Sequence, residues 1–323
     1  MLKKPTPLRR VALLGGTGFV GRTLAARLQR EGLKTRVITR DLGHTRALWT
    51  LPDVECRAVN SDDAAAFAAV LDGCDAVVNL VGILNERRDD GRGFAKVHVE
   101  LTQRALDAAS SAGVARFLQM SALNANPAGP SHYLRSKGEA EHKVRAATPM
   151  RTAILRPSVI FGDGDGLFGR FAPLVRWLPF LPLAGAHARM QPVFVGDVVE
   201  AAWRVLRDDQ LPTGAIFELG GPVQLTLGDI VAYTALCTGH RCPVIALPNW
   251  LGRLQAELCE HLPGKPFSRD NWRSLQADSV VTGDDGLTRL GIAPTAMTTV
   301  VPALLAPAKR ARDHDWHRRH AGR

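Results

Sequence analysis

The fold class that the sequence predicts is a doubly wound, parallel α/β sheet with a small C-terminal α/β lid. Three observations carry it. Apolar runs of strand length alternate with amphipathic helices over the first 160 residues. A glycine-rich turn joins the first strand to the first helix, and the rhythm breaks after Gly162.

Residues 11–14 are an apolar run ending in glycine and form the first strand. Residues 24–29 lie in the first helix. Residues 35–39 make the second strand and 54–59 the third, and the alanine-rich stretch 64–71 is a helix. The fourth strand is 75–81 and the fifth 116–120, with a helix over 97–112 between them. A helix over 133–147 leads to the sixth strand at 152–155. Strands this uniformly apolar are covered on both faces, as in a parallel sheet. Beyond Gly162, residues 167–184 are apolar but broken by Pro173, Pro179 and Pro182. A short strand at 191–195, a helix at 197–206, a strand at 215–219 and a helix starting at Thr226 follow. This half is expected to return one or two strands to the sheet and to cover its C-terminal edge, where open α/β sheets take ligands.

Composition sets outer limits. The chain has 323 residues, 46% hydrophobic and 22% charged, enough for a large core. No apolar run reaches the roughly 18 residues that span a bilayer. A secretory leader is not expected, because the basic N-terminus leads directly into the glycine turn. Five cysteines without a Cys-x-x-Cys pair read as reduced thiols, so a cytoplasmic location is expected and no metal site. Net charge is +10, but it gathers at the ends. Lys3, Lys4, Arg9 and Arg10 precede the first strand, and the last fifteen residues hold six basic against two acidic side chains. With no basic face on a folded element, no specific nucleic-acid partner is expected. The ends are either solubilising tails or a means of attraction to anionic lipid or an acidic partner protein, which would place the protein at the inner face of the cytoplasmic membrane.

The turn reads Gly15-Gly-Thr-Gly18-Phe-Val-Gly21. Gly15 permits the tight bend, Gly18 lets the backbone approach a pyrophosphate, and Gly21 lets helix and strand pack closely. The helix N-terminus then offers free N–H groups and a positive dipole end. Thr17, Phe19 and Val20 complete this cofactor-binding set. The residue after the second strand selects the nucleotide. Arg40 there suits the 2′-phosphate of NADP(H), which is favoured, while the adjacent Asp41 keeps NAD(H) open. Asp62 is placed either for the adenine amino group or as a helix N-cap before Ala64. Val81 and Gly82, ending the fourth strand, would let the cofactor lie on bare backbone, and Pro157 after the sixth strand joins the set. The organisation expected is a basic extension at 1–10, a Rossmann-type NAD(P)-binding domain at 11–165, a substrate or lid region at 166–308, and a basic tail at 309–323.

Tyr133 and Lys137 are four residues apart, so a helix would turn both toward one ligand. An ammonium beside a phenol is expected to lower the tyrosine pKa toward working pH, making Tyr133 a general acid or base.

With Gly113-Val-Ala-Arg-Phe-Leu-Gln-Met-Ser121-Ala-Leu-Asn-Ala-Asn126, Leu155-Arg-Pro-Ser-Val-Ile-Phe-Gly162 and Gln191-Pro-Val-Phe-Val-Gly-Asp197, the chain resembles the extended or atypical branch of the short-chain dehydrogenase/reductase superfamily. Within it, the chain resembles the family of NADPH-binding accessory subunits of respiratory complex I, over about residues 11–219. That resemblance implies Tyr133 as proton donor or acceptor. It gives Lys137 the nicotinamide ribose and the tuning of the phenol, and Ser121 a substrate carbonyl. It also implies a structural or assembly role linked to complex I or ubiquinone, with respiratory-complex subunits or a quinone as partners. The alternative is an active reductase, epimerase or dehydratase on a hydrophobic carbonyl compound, with Tyr133 as its acid/base. Many superfamily members carry an asparagine in the helix after the fourth strand, where this chain has His98; it either replaces those hydrogen bonds or is an inert imidazole. The apolar stretch 168–183, with Trp250, Leu251 and Leu254, reads as lid core or as a surface for an isoprenoid quinone or a membrane partner.

Overall fold

The computed structural model describes residues 8–305. The basic tail at 309–323 and Lys3 and Lys4 of the N-terminal extension lie outside the described residues. The strands are β1 (Arg10–Leu14), β2 (Lys34–Thr39), β3 (Val54–Ala58), β4 (Ala76–Asn79), β5 (Arg116–Met120) and β6 (Arg151–Pro157), then β7 (Ile160–Phe161), β8 (Leu181–Leu183), β9 (Arg189–Met190), β10 (Val193–Phe194), β11 (Ala215–Leu219), β12 (Leu225–Thr226) and β13 (Val244–Ala246). Helices α1 (Phe19–Arg30), α2 (Ala64–Ala69), α3 (Arg92–Phe94), α4 (Leu101–Ser111), α5 (His132–Ala146) and α6 (Phe168–Trp177) lie among the first of these. Then come α7 (Val195–Arg207), α8 (Leu227–Thr238), α9 (Asn249–Glu260), α10 (Arg269–Ser274), α11 (Gly286–Arg289) and α12 (Met297–Leu305).

Seven strands form one parallel sheet in the order β3-β2-β1-β4-β5-β6-β11. The order reverses between β1 and β4, the point at which doubly wound sheets form a ligand crevice at their C-terminal strand ends. The expected doubly wound class is the observed one. Alternation along β1 feeds two cores. Val11 and Leu13 pack with Leu24, Leu28, Val198 and Leu206, under α1 and α7. Ala12 and Leu14 pack with Phe67, Leu106, Ala109 and Val144, under α2, α4 and α5. Each fully buried leucine of this kind contributes on the order of 1.5–3 kcal/mol.

The C-terminal half returns β11 to the sheet beside β6 and sends α7 onto the face that holds α1. What remains is the lid. The ribbon β8–β13 and helices α6 and α8 enclose a core of Val175, Leu181, Leu183 and Val231, with α9 alongside. Two boundaries differ from expectation. β4 ends at Asn79 rather than at residue 81, because the Asn79 side chain accepts the Val81 N–H at 3.2 Å and bends the chain away from the ladder. The helix expected from 97 begins earlier, at Arg92, and passes through a π-helical turn, Ala95–Glu100, before α4.

Candidate functional site

The glycine turn is built as its residue types require. Gly15 has φ +76°, a left-handed conformation, and a Cβ there would lie 3.1 Å from the backbone of Leu80 and Val81. A Cβ on Gly21 would stand 2.4 Å from the Gly15 carbonyl oxygen, so the first turn of α1 rests directly on the loop. Gly16, absent from the expected set, is equally constrained: a Cβ would meet the Val37 side chain at 2.8 Å. Helix α1 follows its N-cap Gly18 with no side-chain cap and no acid in its first turn, so no side chain occupies the amide groups of that turn. Gly18 is exposed, and Thr17, Phe19 and Val20 are half-buried around it. Arg22 in the same turn adds a positive charge. This cradle fits a dinucleotide pyrophosphate.

Arg40 is exposed just past β2 and takes no hydrogen-bond or ion-pair partner among the described residues. Asp41 is engaged instead in the turn Leu42–Leu48, where its carboxylate accepts the Gly43 N–H at 2.8 Å. Asp62 pairs with Arg104 of α4, and the N-cap of α2 is Asp63, not Asp62, accepting the Ala66 N–H at 3.0 Å. Pro157 is the buried last residue of β6, its carbonyl accepting the Leu123 N–H at 3.0 Å.

Across the crevice, Val81 is half-buried and Gly82 is exposed. A Cβ at Gly82 would lie 3.3 Å from Lys137 Nζ and 3.5 Å from His98 Nε2, so the bare glycine opens onto both. His98 is buried in the π-helical turn. Its Nε2 accepts the Ile83 N–H at 3.0 Å, which leaves the proton on Nδ1, 2.8 Å from Ser136 Oγ; that hydroxyl donates to the Tyr133 carbonyl at 2.8 Å. Burial, with Lys137 close by, pushes the imidazole pKa down to about 2, so it is neutral. His98 thus ties the loop after β4 to helix α5 through hydrogen bonds.

Helix α5 is capped by Ser131, whose Oγ accepts the Leu134 N–H at 3.1 Å, and its 3.6-residue period puts Tyr133 and Lys137 on one face. Lys137 Nζ lies 5.9 Å from the Tyr133 ring centre and donates to the Met120 carbonyl at 3.1 Å. Phe94 and His98 pack their rings near-perpendicular to the phenol. The expectation of an acidified phenol is corrected here: burial pushes the Tyr133 pKa up to about 12, and burial pushes Lys137 down to about 8. Desolvation outweighs the ammonium, so Tyr133 is a neutral phenol that holds its proton. Ser121 is also placed differently from expectation. It is buried, and its hydroxyl donates to Glu141, whose carboxylate is in turn held by Arg156. With its one proton directed at that carboxylate, the Ser121 hydroxyl does not offer it to a substrate carbonyl.

The lid closes over this crevice through polar contacts that no spacing in the sequence announced. Asp270, buried in α10, accepts the backbone N–H groups of His132 at 2.7 Å and Tyr133 at 3.0 Å. Ser274 Oγ donates to Ser131 Oγ at 2.8 Å, and Ser268, Asn271 and Lys265 bond the loop at 84–87. Asp89, His132 and Asp270 converge closely enough for a metal, but Arg273 binds Asp89 in two-pronged fashion at 2.7 and 2.6 Å and Arg135 reaches His132 Nδ1 at 2.9 Å. That donor set is satisfied by guanidinium groups. Behind the site, Asn79, Thr102 and Gln119 form a buried hydrogen-bonded group joining β4, β5 and α4.

Comparison with known proteins adds the lineage. Residues 11–220 match the NAD dependent epimerase/dehydratase family. The chain is 33% identical over 223 residues to the mitochondrial NADH dehydrogenase [ubiquinone] 1 alpha subcomplex subunit 9 of Arabidopsis thaliana, covering 68% of this chain and 55% of the plant protein. The Mus musculus protein of the same name is 29% identical over 316 residues, 94% of this chain and 81% of its own length. Ceramide reductase of Caulobacter vibrioides is 32% identical over 248 residues, 74% of each chain. Among solved structures, the dTDP-glucose 4,6-dehydratase DesIV of Streptomyces venezuelae with NAD bound superposes with TM-score 0.72 at 19% identity, over 96% of this chain and 97% of that one, a likeness of fold.

Proposed function

The chain belongs to the NAD dependent epimerase/dehydratase family, whose cofactor is a nicotinamide dinucleotide, and from that premise we propose that it holds NADP(H) as an accessory or assembly factor linked to respiratory complex I or ubiquinone metabolism. The observation that carries this reading is an imbalance within the crevice. The nucleotide side is fully equipped, from the open α1 N-terminus to Gly82 and Lys137. The substrate side is not, since Ser121 gives its proton to Glu141. Bound there, the dinucleotide would supply hydride chemistry; the chain's own residues bind and orient it. Arg40, unpaired beside an Asp41 occupied by its own turn, supports NADP(H) over NAD(H). Partners would be respiratory-complex subunits or a quinone.

A second reading, a reductase on a hydrophobic carbonyl compound, is favoured by the neutral Tyr133 phenol beside Lys137 and by the likeness to a ceramide reductase. One experiment separates the two. The purified protein is assayed for bound nucleotide, and the nucleotide's absorbance is followed with quinones and carbonyl compounds. Retained NADP(H) without turnover is expected. Turnover that Tyr133→Phe abolishes would overturn the accessory reading. Arg40→Ala should weaken NADP(H) relative to NAD(H) by about 1–3 kcal/mol, and an unchanged ratio would show that Arg40 does not read the phosphate.

A further inference from the structure

The lid carries an apolar surface that no part of the dinucleotide site uses. Helix α6 buries Phe168, Ala172 and Val175, but its outer side and the segment after it do not follow them inward. From Arg176 to Phe180 every residue is exposed, reading Arg-Trp-Leu-Pro-Phe, and Trp177 is 86% exposed. In the ribbon β8–β13, Pro182 and Ile245 are in register, and Ile245 is exposed. Helix α9 lies along β8, held by Gln255 to the Pro182 carbonyl at 2.9 Å, and turns Trp250, Leu254 and Leu258 outward at a four-residue spacing. Exposed indole and phenyl rings of this kind are costly to leave in water.

Charge indicates what covers the surface. On α6, the β8–β13 ribbon with its preceding turn, and α9, the exposed charged residues are Arg170, Arg176, Arg241 and Arg253 against a single acid, Glu257. The described chain ends at Leu305, whose carbonyl oxygen is 3.4 Å from Arg176 Nη2, one residue from Trp177. Residues 306–323, which follow Leu305 in the sequence, carry Lys309, Arg310, Arg312, Arg318, Arg319 and Arg323 against Asp313 and Asp315. That sequence is too polar to cover an apolar face itself. A second copy of the chain would bring arginines against arginines across a twofold axis. An anionic lipid surface satisfies both halves at once, with rings entering the headgroup boundary and cations on the phosphates.

We propose that the α6–β8 surface docks this protein on the face of an anionic membrane through its exposed rings and arginines. No helix among the described residues is long and apolar enough to cross a membrane, so the docking is peripheral. The inference is independent of whether the dinucleotide site turns over.

The test uses the full chain and sedimentation with vesicles, either of phosphatidylcholine alone or of phosphatidylcholine with phosphatidylglycerol. Binding is expected to the anionic vesicles only and to weaken with salt. The double variant Trp177→Ser, Phe180→Ser should bind them roughly tenfold or more weakly, with melting temperature and nucleotide content unchanged. Arg170→Gln, Arg176→Gln, Arg241→Gln, Arg253→Gln in one chain should do the same. Lack of binding to anionic vesicles overturns the proposal, as does binding that survives loss of both rings. Concentration-dependent dimers that dissolve on Trp177→Ser, Phe180→Ser would assign the surface to a second copy and overturn it too.

Discussion

Between the loop after β4 and the helix that carries Tyr133 stands one neutral imidazole. His98 spends both ring nitrogens on hydrogen bonds, to Ile83 and Ser136, in a site that refuses it a charge. The sign of its pH effect follows. The unfolded chain takes up a proton here near pH 6.5, whereas the folded chain holds out to about 2. Its contribution to stability is complete above 6.5 and is lost as pH falls toward 2, at up to about 1.4 kcal/mol per pH unit. His98→Asn keeps an acceptor for Ile83 but cannot titrate. Urea midpoints at pH 7 and pH 5 should therefore separate further in the parent than in the variant, by roughly 2 kcal/mol, and equal separations would exonerate His98. Tyr133 and Lys137 could be read from their spacing, and His98 and Ser121 from the family resemblance. Their protonation could not, because the Tyr133 pKa is set by Phe94, His98 and the depth of the pocket, none of which a four-residue interval reports.

At the scale of elements, α5 is the piece on which the site depends most. Its first turn is capped twice, by Ser131 from within and by Asp270 from α10. The inner cap was legible in principle from a serine before a helix. The outer one joins residues far apart in sequence and left no local mark. Asp270→Ala would orphan two amide groups at a partly buried helix start, a loss of about 1–3 kcal/mol. Hydrogen exchange should accelerate at the amides of His132 and Tyr133 while β4 and β5 remain protected; unchanged exchange there would mean that the lid does not hold the helix. The π-helical turn before α4 escaped the sequence for a similar reason. It widens the helix where His98 turns inward, a choice made by packing against α5 rather than by helix propensity.

For the whole molecule, the sheet and its two cores followed from alternation and from the glycine turn, since those signals are local and repeated. Strand β11 and helices α7 and α8 fell where the apolar pattern put them. The lid's closure did not, because it rests on single polar contacts rather than a period. A crevice closed by such contacts between sheet and lid predicts strong coupling of ligand to fold. Nucleotide at about 100 times its dissociation constant should stabilise the protein by about 2.7 kcal/mol and raise the melting temperature, NADP(H) more than NAD(H) at equal concentration. A melting temperature indifferent to both nucleotides would contradict the dinucleotide site itself.

The Asp270 cap also has a consequence in time. During synthesis β1 to β6, the glycine turn and Tyr133 all leave the ribosome well before Asp270 does. The nascent chain can assemble most of its sheet around a nucleotide while the start of α5 still lacks its outer cap. The last part of the crevice to be finished is thus the end of the helix bearing the phenol, and only a chain synthesised as far as α10 can complete it.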